Sequence, residues 1–106
     1  MNNAQNTKLK NLLSIACKAG RIMSGEFVIE KALSGRHNIK LLLLAADISP
    51  ASQAKYEKMA SAAKVRLAKT ALTKDELAGC IGKTDRAAAA VCDEGFSKAV
   101  LKIMDS

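Results

Sequence analysis

Aromatic side chains are nearly missing from this chain: Phe27, Tyr56 and Phe96 make up 3% of it, and there is no tryptophan. Sequence-tolerant binding of single strands relies on aromatic platforms under the bases, and three rings can hardly build one. Long apolar runs are missing as well. The longest, Leu41 to Ala46, falls far short of the roughly 20 residues that cross a bilayer, so no membrane span is expected. No basic start followed by an apolar stretch appears at Met1, which leaves secretion without support. Cys17, Cys80 and Cys92 form no closely spaced pair, and His37 is the single histidine. Zinc takes about four ligands at close spacing, so no metal site is expected. An odd number of cysteines among apolar neighbours reads as reduced core residues in a cytoplasmic protein.

Acidic side chains are the scarcer charge. Ten Asp and Glu stand against seventeen Lys and Arg, a net charge of +7. In a chain this short the excess points to a polyanionic partner. It is also uneven: residues 1–40 carry seven basic and two acidic side chains, residues 41–106 ten and eight. With few rings, recognition of a nucleic acid would fall to backbone contacts, shape and a few polar side chains.

Core-forming residues are plentiful. The 106 residues are 49% hydrophobic, and a chain of this size buries roughly 65% of its unfolded surface, so a single domain over 1–106 is expected. Leu9, Leu12, Leu13, Ala16 and Ala19 form a helical stripe that Gly20 ends. Arg21-Ile22-Met23 is long enough for a short strand. A second helix runs from about Gly25 to Gly35, with Val28, Ile29, Ala32 and Leu33 turned inward. Leu41 to Ala46 does not alternate and fits a strand buried on both faces. Ser49-Pro50 opens a third helix to about Ala63, with serine as N-cap and proline first in the helix.

Val65 to Ala68 alternates as a strand. Thr73 to Glu76 is a capping box, with Leu72 stapled to Leu77, opening a short helix that ends near Ile81-Gly82. Ala87 to Cys92 reads as a strand, and Asp93 caps a last helix carrying Phe96, Ala99, Val100, Ile103 and Met104 inward. The order α-β-α-β-α-β-α-β-α predicts a three-layer α/β/α sandwich around a small four-stranded mixed sheet.

Two loops carry candidate chemistry. Met23 to Phe27 enters the second helix, whose unpaired N–H groups and partial positive charge can receive a phosphate. Gly25 lets a ligand approach the backbone, and Lys31 lies within reach along the helix, with Lys18, Arg21 and Arg36 extending the positive field. Ile81 to Arg86 adds two cations and two short polar side chains. Each loop alone reads more simply as a cap or a turn. Catalytic constellations are scarce. His37 falls in an exposed loop without a Ser or Cys partner. Asp75-Glu76 and Asp93-Glu94 suit first helical turns, and no glycine-rich phosphate loop is present. A non-catalytic protein without cofactor is expected.

The series Asn11-Leu12-Leu13, Ala19-Gly20-Arg21, Ser24-Gly25, Lys31-Ala32 and Ser34-Gly35, followed by Leu41 to Asp47, Ile81-Gly82-Lys83 and Ala87 to Val91, resembles the kink-turn-binding ribosomal protein family (the ribosomal protein L-seven-Ae superfamily). The Ser24-Gly25-Glu26 entry, the segment Ile81 to Arg86 and the closing Asp93, Gly95 and Phe96 resemble its bacterial YlxQ-like branch. The resemblance covers about residues 9–104. It implies a monomeric, cytoplasmic binder of structured RNA, ribosomal or otherwise containing a kink-turn, with the ribosome as one setting. It also implies that Ser24, Gly25, Glu26, Phe27, Val28 and Lys31 enter the widened groove at a sharp RNA bend. Lys83, Thr84, Asp85 and Arg86 would meet bulged nucleotides, and Asp47 would border the site. Phe27-Val28 stand where the family often has a polar pair. Two other readings share the fold: a protein-interaction module, and an accessory domain of an RNA-modifying enzyme.

Overall fold

Each helix of this chain has an apolar face that must be buried, and the sheet gives it two sides on which to do so. The computed structural model describes residues 2–35 and 38–105. Its elements run α1 (Asn3–Lys18), β1 (Ile22–Ser24), α2 (Glu26–Ser34), β2 (Leu41–Leu44), α3 (Pro50–Ala63), β3 (Arg66–Lys69), α4 (Lys74–Cys80), β4 (Ala88–Val91) and α5 (Glu94–Met104). The sheet order is β1-β4-β2-β3, with β4 antiparallel to both neighbours and β2 parallel to β3. It is the expected mixed sheet of four strands.

Alternation along β2 divides the core. Leu41 and Leu43 pack with Leu9 and Leu13 of α1, Leu77 of α4 and Val100 of α5. Leu42 and Leu44 face the other way, onto Ile29 and Ala32 of α2 and Tyr56 and Ala60 of α3. Two helices therefore cover one face and three the other. Ala88, Ala89 and Ala90 are weak strand formers, yet β4 is wholly buried between β1 and β2, and burial decides. The exposed edge β3 is guarded at its ends by Arg66 and Lys69.

Local signals place most boundaries. Ser49, Thr73 and Asp93 cap α3, α4 and α5 through their side chains. Gly20, at φ 74°, closes α1, where the Gly20 and Arg21 N–H groups return to the Cys17 and Ala16 carbonyls. The strands shift slightly from expectation. β1 and β3 each start a residue later, at Ile22 and Arg66, and β2 and β4 are trimmed to Leu41–Leu44 and Ala88–Val91. The pairing nevertheless continues past them, through Cys92 N–H to the Arg21 carbonyl and Ala45 N–H to the Ala87 carbonyl. Helix α1 begins early, at Asn3, because Asn2 and Gln5 form a capping box.

Cys17, Cys80 and Cys92 are free and half-buried at the margins of the core. Burial pushes the Cys80 thiol up to about 11. Among the described residues no helix is long and apolar enough to cross a membrane.

In the α4 box the Glu76 N–H donates to Thr73 Oγ1 at 3.1 Å, and the Thr73 N–H donates to the Glu76 carboxylate at 3.0 Å. Thr73→Ala is expected to lower unfolding stability by about 1 kcal/mol in urea titration at neutral pH. The Thr73 N–H, with the Lys10 ammonium, holds the Glu76 carboxyl below the usual carboxylate range. That contribution is complete above the ordinary range and is lost as pH falls through the lowered folded value. Glu76→Gln should remove this component of acid sensitivity while preserving the box.

Candidate functional site

Antiparallel pairing decides which loops meet. Ser24, at the end of β1, pairs with Ala89 near the start of β4, and Leu44, at the end of β2, pairs with Ala88. The entry to α2, the turn after β2 and the loop before β4 therefore gather at one end of the sheet. The two loops singled out in the sequence are neighbours in space. Arg86 joins them: its Nε donates to Ser24 Oγ at 3.3 Å and its Nη1 to the Thr84 carbonyl at 3.0 Å. Arg86 is half-buried, so its guanidinium is fixed between the loops.

Helix α2 differs at its start from the other four. Its N-cap is Gly25, at φ 94° and ψ 129°, and no side chain caps the first turn. That conformation suits glycine alone, because a Cβ would be strained there. The first-turn N–H groups therefore have no side-chain acceptor. Glu26 follows and pairs with Lys55 of α3 at 2.8 Å, an interaction that raises the Lys55 ammonium above its usual range.

Beneath these groups lies a cavity of about 320 Å³, lined by Gly25, Glu26, Ser52, Tyr56, Lys74, Asp85, Arg86, Ala87 and Ala88. Tyr56 is 4% exposed. Burial raises its phenol, with the Glu26 carboxylate adding to the rise and Arg86 opposing it. Asp85 has φ 50°, a left-handed conformation that aspartate tolerates better than most residues. The cavity offers donors, acceptors and both signs of charge.

Phe27 is 75% exposed on the first turn of α2, and Val28, expected to turn inward, is 46% exposed instead, because the buried face of the helix is formed by Ile29 and Ala32. Lys31 is exposed and lies about 9 Å along the helix from Gly25. Lys83 and Thr84 are exposed in the loop, outside the cavity wall. Asp47 turns to structural use: its Oδ1 accepts the Lys74 N–H at 2.8 Å, and so positions the Lys74 that lines the cavity. Ser52, Tyr56 and Lys74 were missed in the sequence. They reach the site from α3 and α4, and no local pattern marks them.

The positive field needs correction. Lys18 and Arg21 do not extend it at this end. Arg21 lies before Ile22, which pairs with Val91, so strand direction puts Arg21 at the opposite end of the sheet from Ser24. Arg36 and His37 lie outside the described residues.

The chain is a three-layer α/β/α sandwich with a glycine-entered helix and a loop-walled cavity at one end of its sheet. A sequence model of the Ribosomal protein L7Ae/L30e/S12e/Gadd45 family matches residues 7–101, and the chain belongs to that family. Among solved structures, one described as a protein with unknown function from Bacillus halodurans is similar at TM-score 0.83 and 24% identity, covering 93% of this chain and 98% of that one. The Giardia lamblia 15.5kD RNA binding protein is similar at TM-score 0.72 and 17% identity, covering 99% of this chain and 88% of that one. Both share the fold. No curated protein matches the sequence.

Proposed function

We propose that this chain is a non-catalytic RNA-binding protein that recognises a bent or internally looped duplex of the kink-turn kind. The observation that carries the reading is the Arg86–Ser24 bond, which fixes the loop before β4 against an uncapped helix N-terminus above a polar cavity. Membership of a ribosomal protein family supports it, as does structural similarity to a protein described as RNA binding. On this reading the first-turn N–H groups of α2 and Lys31 approach the RNA at its bend. The cavity takes one unpaired base, for which donors and acceptors are present at its rim, and Lys83 to Arg86 hold the adjoining nucleotides. The finer placement, a monomer of the bacterial YlxQ-like branch working in the cytoplasm at or near the ribosome, follows the sequence resemblance.

Phe27 adds an apolar face for a base lifted out of its stack. Stacking of this kind is worth about 1–3 kcal/mol per base. Phe27→Ala is expected to weaken binding about tenfold while leaving the unfolding transition in place, because the ring is largely exposed. The test of function is titration of the protein with an RNA duplex containing an internal-loop bend and with a straight duplex of matched length. Tighter binding of the bent RNA is expected. Equal affinities would sink the claim of shape recognition.

The exposed Phe27-Val28 pair also favours one competing reading, a protein-interaction surface on the same fold. Salt-insensitive capture of a single protein, with no RNA protected, would select that alternative.

A further inference from the structure

Lys69, which pairs with Leu44, and Lys83 are exposed at the cavity end, but cations and carboxylates are mixed there. At the cavity end Lys74 and Arg86 sit among the carboxylates Glu26 and Asp85, and Lys55 is spent on Glu26. At the other end of the sheet the register assembles cations from five elements. Lys18 ends α1. Arg21 precedes β1 and its carbonyl accepts from the Cys92 N–H, while Lys40 precedes β2 and its N–H reaches the Val91 carbonyl. Lys64 ends α3, and Arg66 pairs with Leu41 in β3. All five are exposed. With strands about 4.8 Å apart, Arg21, Lys40 and Arg66 span roughly 15 Å across this end.

Little there neutralises them. Among the described residues no carboxylate pairs with any of the five. Two carboxylates follow β4 at this end and leave the five cations in excess: Asp93, whose Oδ2 accepts the Phe96 N–H at 2.8 Å, and Glu94, which pairs with Lys98 at 3.5 Å. Apolar anchors are also scarce. Of the large hydrophobic residues exposed among the described residues, Ile15 on α1 lies near this end, and Phe27 and Val28 belong to the cavity end.

We infer that this end of the sheet is a second contact surface, for the sugar–phosphate backbone of an RNA duplex. Protein-binding surfaces are depleted in lysine and centre on buried aromatic or apolar anchors, whereas nucleic-acid surfaces are polar and strongly positive. This surface has the second composition. The choice of RNA over another polyanion rests on the function proposed above. The two ends then divide the work. The cavity end reads a bend and an unpaired base, and the basic end holds a helical segment by phosphates without regard to sequence. One molecule can bridge two RNA segments.

The test uses the full chain and a straight RNA duplex without a bend, titrated over a range of salt, beside a short bent RNA. The triple variant Arg21→Glu, Lys40→Glu, Arg66→Glu is expected to lose straight-duplex binding at low salt. Neutral replacement by Gln at the same three positions should reduce the salt slope by about 2–3 units, one for each lost phosphate contact. The charge-preserving set Arg21→Lys, Lys40→Arg, Arg66→Lys should restore the slope, which a purely structural role would not explain. All variants should keep the wild-type thermal transition and bind the short bent RNA within about twofold of wild type. Wild-type duplex affinity and slope in the Gln variant would overturn the inference. So would loss of an acidic protein partner, with duplex binding unchanged. If wild-type protein prefers no bent RNA yet its duplex binding depends on these residues, the proposed function fails while the second surface stands.

Discussion

Arg86→Ala should weaken binding of a bent RNA by about tenfold or more, the largest loss expected from any one side chain. Arg86 has two tasks that alanine abandons together. It holds the loop before β4 against the entry to α2 through Ser24 and Thr84, and it places a cation at the cavity wall. Hydrogen bonds to charged groups are worth roughly 1.5–3 kcal/mol, so losing one RNA contact accounts for about tenfold, and loosening the loops adds to it. Arg86→Lys keeps the charge but not the planar fork, so it should fall between wild type and alanine. Lys31→Ala removes an exposed point charge and should cost severalfold. Fluorescence titration gives the affinities, and urea unfolding separates them from stability, which should fall by about 1–3 kcal/mol as the guanidinium bonds to Ser24 and Thr84 are lost. An Arg86→Ala protein that binds as wild type would remove the loop clamp from the mechanism.

Gly25→Val carries the second large effect, and it should appear in both stability and binding. At φ 94° and ψ 129° a β-branched residue is strained, at a cost of roughly 1–3 kcal/mol. A Cβ at this position would lie 3.9 Å from Val28 Cγ2, so space is not the obstacle; backbone conformation is. The helix start must either bear the strain or rearrange. Rearrangement moves the first-turn N–H groups that the proposed function assigns to the RNA. Binding should fall by more than tenfold even where the protein remains folded. Gly79→Ala is the control: it lies within α4, a Cβ there meets nothing within 4 Å, and it should stabilise by about 0.5–1 kcal/mol with binding intact.

The parts of the fold that are local in origin were legible from sequence. Ser49-Pro50, Thr73 with Glu76, and Asp93 each state a helix start within a few residues, and the structure uses all three. Four consecutive leucines in β2 announce burial on both faces, and alternate leucines serve the two halves of the core. What depends on strand pairing was not legible. Arg21 is close to Ser24 in sequence, yet the antiparallel match of β1 to β4 directs it to the far end of the sheet. Arg21 and Lys40, among the basic first forty residues, therefore lie away from the cavity end.

The same distinction applies to the site. Ser24, Gly25 and Arg86 stood out because loops and helix starts have local signatures, and they do converge. Asp47 also stood out, and its carboxylate accepts the N–H of Lys74, which lines the cavity. Ser52 and Tyr56 line the cavity from α3 and look in sequence like ordinary helix residues. The count of three rings spoke against stacking because composition contains no positions. Phe27 is largely exposed on the first turn of α2, and on the proposed function one ring there would matter more than the total suggests.

Amide chemical shifts of the isotopically labelled protein, followed as a short bent RNA is added, test recognition at the cavity end most directly. The first-turn amides of Glu26, Phe27 and Val28 should move first and furthest, together with those of Asp85 and Arg86, while Lys40 and Arg66 respond to a straight duplex. Saturable binding of the bent RNA that leaves those five amides unmoved would contradict it.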